Sequence, residues 1–190
     1  MNALLIENTE FADLDFSITK LAKADYDHCI FANCNFSNVD VSDYSFENTT
    51  FENCDLSNVR IKNTSFKEVK LHQCKVLGMH FENCNAFLFS IQFENSRLNL
   101  SSFYKRNLRN TRFKNCQLYE ADFAEADMMG VNFENCDLSG SNFENTLLEK
   151  ADFRTAFNYS FDPEHNKIKK AKFSKEEVVG LLRKYNIEIE

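Results

Sequence analysis

Seven cysteines and four histidines are the side chains of this chain whose type invites chemistry, and the cysteines are regularly spaced. Cys34, Cys54 and Cys74 lie twenty residues apart, and so do Cys116 and Cys136, while Cys29 and Cys84 stand outside those runs. Thiols can form disulfides, hold a soft metal or act as nucleophiles. If the ladder falls on stacked strands about 4.8 Å apart, it approaches the roughly 5.5 Å Cα spacing of a disulfide. No CxxC occurs, and His72, two residues from Cys74, takes the opposite, outward orientation, so a zinc site is not expected. Of His28, His72, His80 and His165, the first three occupy outward positions on separate sides with no serine, cysteine or carboxylate constellation predicted beside them, and no glycine-rich phosphate loop is present. The many carboxylates fall at outward positions where nothing would raise their pKa. The residues read as a non-enzyme that needs no cofactor and no metal, with its thiols spent on packing in a reducing compartment.

What places the thiols is a pentapeptide rhythm, clearest over residues 112–153. A large apolar residue recurs every five positions, at Phe113, Leu118, Phe123, Met128, Phe133, Leu138, Phe143, Leu148 and Phe153. Two residues before each sits a small one, at Thr111, Cys116, Ala121, Ala126, Val131, Cys136, Ser141, Thr146 and Ala151. A period of five fits neither an α-helix nor a flat strand. The same rule runs back through Phe81, Val76, Leu71, Phe66 and Ile61 to Phe31, and all seven cysteines occupy the small inward position. Such repetition marks a solenoid whose units bury their faces only against one another. The twenty-residue cysteine spacing, and the alternation of Phe with Leu or Met between Phe93 and Phe153, set four pentapeptides per coil, with Phe stacked on Phe along two opposite faces. The expected fold is all-β: a right-handed quadrilateral parallel β-helix of about eight coils.

Ala121-Asp122-Phe123, Cys136-Asp137-Leu138 and Ala151-Asp152-Phe153 make the chain resemble the pentapeptide-repeat proteins over about residues 4–173. The solenoid is expected to occupy residues 1–173, with a weaker N-terminal coil (Ile6, Phe11, Phe16, Leu21) and an irregular last coil at 154–172. Residues 174–190 are expected to form a C-terminal capping α-helix and a short tail strand, since Ser174 and Glu177 have capping-box spacing and Val178, Leu181, Leu182 and Tyr185 share a helical face. That helix covers the open sheet edge, and Val178, Val179, Leu181, Leu182, Tyr185, Ile187 and Ile189 are the candidate surface for pairing with a second copy. Between Cys84 and Phe93 two residues are gained, so a bulge falls at about 85–91. Placed at Asn85, the insertion turns Leu88 inward and leaves Phe87 and Phe89 as exposed contacts; placed later, it turns Phe89 and Ile91 inward. The outward column Asn33, Asn53, Gln73, Asn95, Asn115 and Asn135 reads as a structural amide ladder.

Net charge is −7, but it is banded. Residues 1–55 carry eleven acids and two bases, 56–115 three acids and eleven bases, and 116–153 nine acids and one base. The chain is expected to be cytoplasmic, since it shows no membrane span and no signal-peptide pattern. Among pentapeptide-repeat proteins, its length and C-terminal cap are similar to the Qnr and MfpA group. That resemblance implies a dimeric rod that imitates duplex DNA, binds a type II topoisomerase (DNA gyrase or topoisomerase IV) and is linked to quinolone resistance. Glu120, Asp122, Glu125, Asp127, Glu134 and Asp137 are then the topoisomerase-facing acids. The chain departs from Qnr in lacking a long inserted loop and in its basic middle band. Arg97, Lys105, Arg106, Arg109, Arg112 and Lys114 would serve a generic protein-interaction scaffold, the alternative reading, whereas the flanking acids oppose direct binding of nucleic acid.

Overall fold

A computed structural model describes residues 4–109 and 111–189. The chain winds as a parallel β-solenoid of about eight four-sided coils, in which each pentapeptide sends its small and large residues inward. Short strands mark two sides: β1 (Leu5–Glu7), β2 (Glu10–Ala12), β3 (Asp25–Asp27), β4 (Ile30–Ala32), β5 (Ser45–Glu47), β6 (Thr50–Glu52), β7 (Ser65–Lys67), β8 (Val69–His72), β9 (Ile91–Glu94), β10 (Arg112–Lys114), β11 (Asn132–Glu134), β12 (Asp152–Phe153) and β13 (Lys172–Phe173). On the first side the order is β1-β3-β5-β7; on the second, β2-β4-β6-β8-β9-β10-β11-β12-β13. The third and fourth sides are held by single parallel bridges, such as Asn35 to Asp55 and Asp122 to Asn142. Partners lie twenty residues apart, Phe31 on Phe51 for example, so the expected coil length holds.

Corners explain the outward sequence. The residue two after most large ones adopts a left-handed backbone, with φ of 53° at Asn33, 53° at Asn53, 52° at Asn115 and 68° at Gly140. Asn, Asp and Gly tolerate that conformation best, hence their recurrence. At sharper corners the outward Asp or Asn caps the turn, as where Asp55 accepts the backbone N–H of Ser57 at 3.0 Å and Asp137 that of Ser139 at 3.1 Å.

The core is a filled stack of rings. In the second half, Phe93, Phe113, Phe133 and Phe153 rise along the second side, and Phe103, Phe123 and Phe143 along the fourth. Within each stack the rings are nearly parallel, 5.3 Å apart for Phe93 and Phe113. Across the core the stacks meet edge to face, as for Phe103 and Phe113 at 5.8 Å and 89°. Both arrangements suit the ring quadrupole. The smaller Leu98, Leu118 and Leu138 of the third side fill the remaining width.

At the bulge the structure selects the later placement. Pairing jumps by twenty-two residues, Val69 to Ile91 and Lys70 to Gln92. Ile91 is buried and Phe89 packs against the core, 6.3 Å from the Phe81 ring. Phe89 is therefore a packing residue and not a surface contact, whereas Phe87 and Leu88 stand exposed at 69% and 63%. Leu88 forms the corner, with φ of 55°. Arg106 departs from the sequence expectation too: it sits at a small inward position and is only 6% exposed. Its guanidinium donates to the carbonyls of Phe81, at 2.6 Å, Glu82, at 2.8 Å, and Cys84, which the widened coil and its 3₁₀ turn (Phe81–Asn83) leave without strand partners. A buried carbonyl without a donor is costly; the guanidinium supplies the donor for Glu82 and Cys84 and a second one for Phe81, which also accepts the Cys84 N–H at 3.2 Å.

The C-terminal α-helix is corrected to two 3₁₀ turns, Val178–Leu181 and Arg183–Tyr185. The cap starts as expected, with the Glu177 N–H donating to the Ser174 hydroxyl at 3.1 Å. It then tightens because Gly180 lies directly on the Tyr159 carbonyl, where a Cβ would stand 2.0 Å from the oxygen. Leu181 is buried beneath the cap and so lies outside any pairing surface, while residues 186–189 make no strand. Gly180→Ala is expected to lift the cap and cost about 1–3 kcal/mol, seen as a lower melting temperature; an unchanged melt would show that the cap does not hold the last coil.

Candidate functional site

With the core full, the outer faces are what the protein can offer. The cysteines are all free and buried. Their sulfurs bond within the scaffold: Cys54 donates to the Phe31 carbonyl at 3.2 Å, and the Cys34 N–H donates to the Cys54 sulfur at 3.4 Å. The hydrogen bond with Cys74 and then burial hold the Cys54 thiol far above the ordinary range, and burial pushes Cys84 up to about 11. Such thiols are poor nucleophiles. We expect Ellman's reagent to leave them unreacted in the folded protein and to count seven after denaturation; fast native reactivity would place thiols at the surface. Among the described residues no group of three or more His, Cys, Asp or Glu converges on a metal position.

Contrary to the sequence expectation, each histidine has a carboxylate beside its Nδ1: Asp27 at 2.9 Å from His28, Glu52 at 3.7 Å from His72, Glu82 at 2.8 Å from His80 and Glu144 at 3.1 Å from His165. These are separate surface pairs. The amide ladder is present, with Asn33 donating to Asp13, Asn53 to Asn33, Asn115 to Asn95 and Asn135 to Asn115, at 2.8–3.2 Å. At the bulge the side-chain ladder breaks: the Asn95 amide meets the His72 ring at 3.0 Å, and Asn53 bonds only downward to Asn33.

Several surface carboxylates are pulled down. Hydrogen bonds from Ser42 lower Asp40, the Asn63 amide and then the Lys23 ammonium lower Asp43, and the Arg154 guanidinium lowers Asp152. A group depressed in the folded state contributes stability above its unfolded value of 3.8, and that stability is lost as pH falls through the lower folded value. The melting temperature is thus expected to hold from neutrality to about pH 5 and to decline below about pH 4; a fall already complete above pH 5 would show that these carboxylates do not govern it.

The charge bands lock to one another at their borders. Lys67 reaches Glu47 at 3.4 Å and Lys75 reaches Asp55 at 3.3 Å; in the other direction Lys105 reaches Glu125 at 3.3 Å, Arg109 Asp127 at 2.7 Å and Arg112 Glu134 at 2.8 Å. Three of the six candidate acids are therefore paired with the basic band. The six do not share a face: Asp127 lies on the first side, Glu134 on the second, Asp137 on the third and Asp122 on the fourth, with Glu120 and Glu125 at corners. Glu120, Asp122 and Asp137 stay outside ion pairs among the described residues, on two adjoining sides. At the C-terminal end Val178, Val179, Tyr185, Ile187 and Ile189 are exposed and Leu182 is half-buried. Val179, Leu182, Ile187 and Ile189 line a groove of about 400 Å³.

A filled quadrilateral β-helix wound from pentapeptides defines a repeat solenoid. The chain belongs to the pentapeptide-repeat family: the model of the pentapeptide repeat region matches residues 24–103 and 86–177. A search of curated proteins finds no significant match. Among solved structures, a trypsin-treated variant of QnrB1, a plasmid-mediated fluoroquinolone resistance protein, is similar with a TM-score of 0.63 and 20% identity, covering 98% of this chain and 91% of that one. HetL, a pentapeptide repeat protein involved in heterocyst differentiation regulation from the cyanobacterium Nostoc sp. strain PCC 7120, is similar at a TM-score of 0.38 and 15% identity, over 90% of this chain and 87% of that one. No helix among the described residues is long and apolar enough to cross a membrane.

Proposed function

We propose that this chain is a non-enzymatic, cytoplasmic binding protein that engages DNA gyrase or topoisomerase IV by imitating duplex DNA. Charge density carries this reading. Residues 1–55 hold a net −9 on fewer than three coils. At about 4.8 Å per coil that is one negative charge per roughly 1.5 Å, against one per about 1.7 Å in the duplex. Glu120, Asp122 and Asp137 extend the imitation beyond the basic band, while Glu125, Asp127 and Glu134 join it when their cationic partners swing aside. Two copies would pair through the exposed C-terminal apolar residues, Ile187 and Ile189 foremost, doubling the rod. The full-length likeness in fold to QnrB1 agrees with such a rod. In place of a long inserted loop the chain has only the six residues 85–90, so binding is proposed apart from drug protection.

The test is a gyrase supercoiling assay with and without ciprofloxacin, run beside a DNA gel shift. Inhibition that fades steeply with salt, with no DNA shift, supports the reading; no effect at low salt overturns it.

A further inference from the structure

We propose that rods of this protein stack head to tail, the N-terminal coil of one copy seating on the C-terminal end of a second so that the parallel sheet runs on across the joint. This goes beyond the topoisomerase reading, because it concerns how copies join and holds whether or not a topoisomerase is bound. It competes with two-fold pairing for one end of the rod, and the experiment separates the two.

Both ends are open sheet edges of matching geometry. In a parallel ladder alternate residues of a strand bond to opposite neighbours. On β2 the Thr9 C=O accepts the Ile30 N–H at 3.0 Å and the Asp13 N–H donates to the Ala32 C=O at 2.9 Å, so Glu10 and Ala12 turn their backbone groups to the N-terminal end. On β13 the Lys172 N–H donates to the Ala151 C=O at 2.9 Å, so the Ala171 C=O and both groups of Phe173 turn to the C-terminal end. The cap leaves this half of the end uncovered. Glu177 meets the Asn158 N–H, Gly180 the Tyr159 carbonyl and Lys184 the Asp162 carboxylate, partners nineteen to twenty-two residues apart, so the cap is one coil thick and stands over the third and fourth sides. Ile168 and Phe173 on the first and second sides stay half-buried, as Ile6 and Phe11 do at the other end, whereas the second-side residues from Phe31 to Phe153 are buried.

Charge in register names the occupant. One further coil step sets Ile6 of the incoming copy on Ile168 and Phe11 on Phe173, as Phe173 itself lies on Phe153 at 5.3 Å. The same step sets Glu7 on Lys169, Glu10 on Lys172 and Asp13 on Lys175, three acids on three lysines. Within the rod, opposite charges placed one coil apart do meet: Lys67 and Glu47, Lys75 and Asp55, and Lys114 and Glu94 pair at 2.8–3.4 Å. The end charges are not already spent. Glu7, Glu10 and Asp13 make no ion pair among the described residues, Asp13 accepting the Asn33 amide at 3.0 Å. Lys169 and Lys175 make none either, and Lys172 stands 3.9 Å from an Asp152 that Arg154 holds at 2.7 Å. On the third side the cap replaces the strand and breaks the column, so Asp15 and Glu177 are not set face to face; each is engaged in its own copy, Asp15 by the Ser17 and Asn35 side chains and Glu177 by the Asn158 N–H.

Of the ways two rods can meet end on, head to head opposes acids to acids and tail to tail opposes lysines to lysines. Head to tail alone pairs them. Exposed Leu4, Leu5 and Leu14 at one end and Ile187 and Ile189 at the other add apolar surface to the joint. Such a contact is heterologous and does not close, so copies add into open rods. Each copy contributes nine strand levels on the second side, a repeat of roughly 43 Å.

The experiment is sedimentation velocity of the untagged full chain over a range of concentrations at low and high salt, with electron microscopy of the largest species. Two variants are compared with wild type: Glu7→Lys with Glu10→Lys and Asp13→Lys, and Lys169→Glu with Lys172→Glu and Lys175→Glu. All six positions face outward, so melting should stay unchanged. Wild type is expected to grow with concentration into rods with the roughly 43 Å repeat and to shorten as salt rises. Each variant alone should associate about tenfold or more weakly, and an equimolar mixture of the two should regain growth, because each then offers the other opposite charge at both ends. If one variant fails to fold, the loss of growth in the other decides. A wild type that stays monomeric at every concentration, variants that grow as wild type does, or a mixture of folded variants that regains nothing overturns the proposal. So does a wild type that stops at a dimer, the mark of two-fold pairing.

Discussion

Arg106→Ala is expected to destabilise the protein by about 3–5 kcal/mol, the largest loss for any charged residue of the chain. The arginine fills an inward position meant for a small side chain and satisfies the carbonyls of Phe81, Glu82 and Cys84. Removing it leaves the Glu82 and Cys84 carbonyls without a donor, at roughly 1–3 kcal/mol each, while the Phe81 carbonyl keeps the Cys84 N–H; entering water offsets part of the loss. Arg106→Met separates volume from hydrogen bonding: it refills the space without the donors and should recover only a minor part of the loss. Chemical denaturation of the three proteins measures this. If the methionine variant matches wild type, the arginine serves by packing alone.

Phe113→Ala is expected to cost about 3–5 kcal/mol and to weaken the link between the halves of the rod. Its ring is fully buried, stacked at 5.3 Å on both Phe93 and Phe133 and meeting Phe103 and Phe123 edge to face. Little can collapse into the gap, because each coil is pinned by its neighbours. In a solenoid, stability is close to a sum of unit and nearest-neighbour terms, so a weak coil near the middle can separate two cooperative blocks. Guanidinium denaturation should show a lower midpoint and a shallower or two-step transition. A single transition of unchanged slope would show that coupling passes around the stack through the sheet hydrogen bonds. Phe113→Leu, a residue that the other sides use at this position, should lose less.

The pentapeptide rhythm by itself determined the inward cysteines, and its twenty- and ten-residue recurrences the coil length and the Phe stacks on opposite sides, because each depends only on spacing along the chain. The banding of charge was legible as a sum over consecutive residues, whereas the left-handed corners emerged only from the backbone. Tertiary structure decided where the two extra residues go, that Leu88 turns outward and Phe89 inward, and that Asn95 meets the His72 ring where the amide ladder breaks at the bulge. It alone placed Arg106, whose charge reads as surface although its place in the pentapeptide is inward, and whose partners stand up to twenty-five residues earlier, one coil below. It also paired half of the candidate acids with the basic band and tightened the expected helix into 3₁₀ turns over Tyr159. Each of these turns on which groups on adjacent coils are left wanting a donor, a charge or room, and a one-dimensional repeat encodes the direction of a side chain without encoding what it meets there.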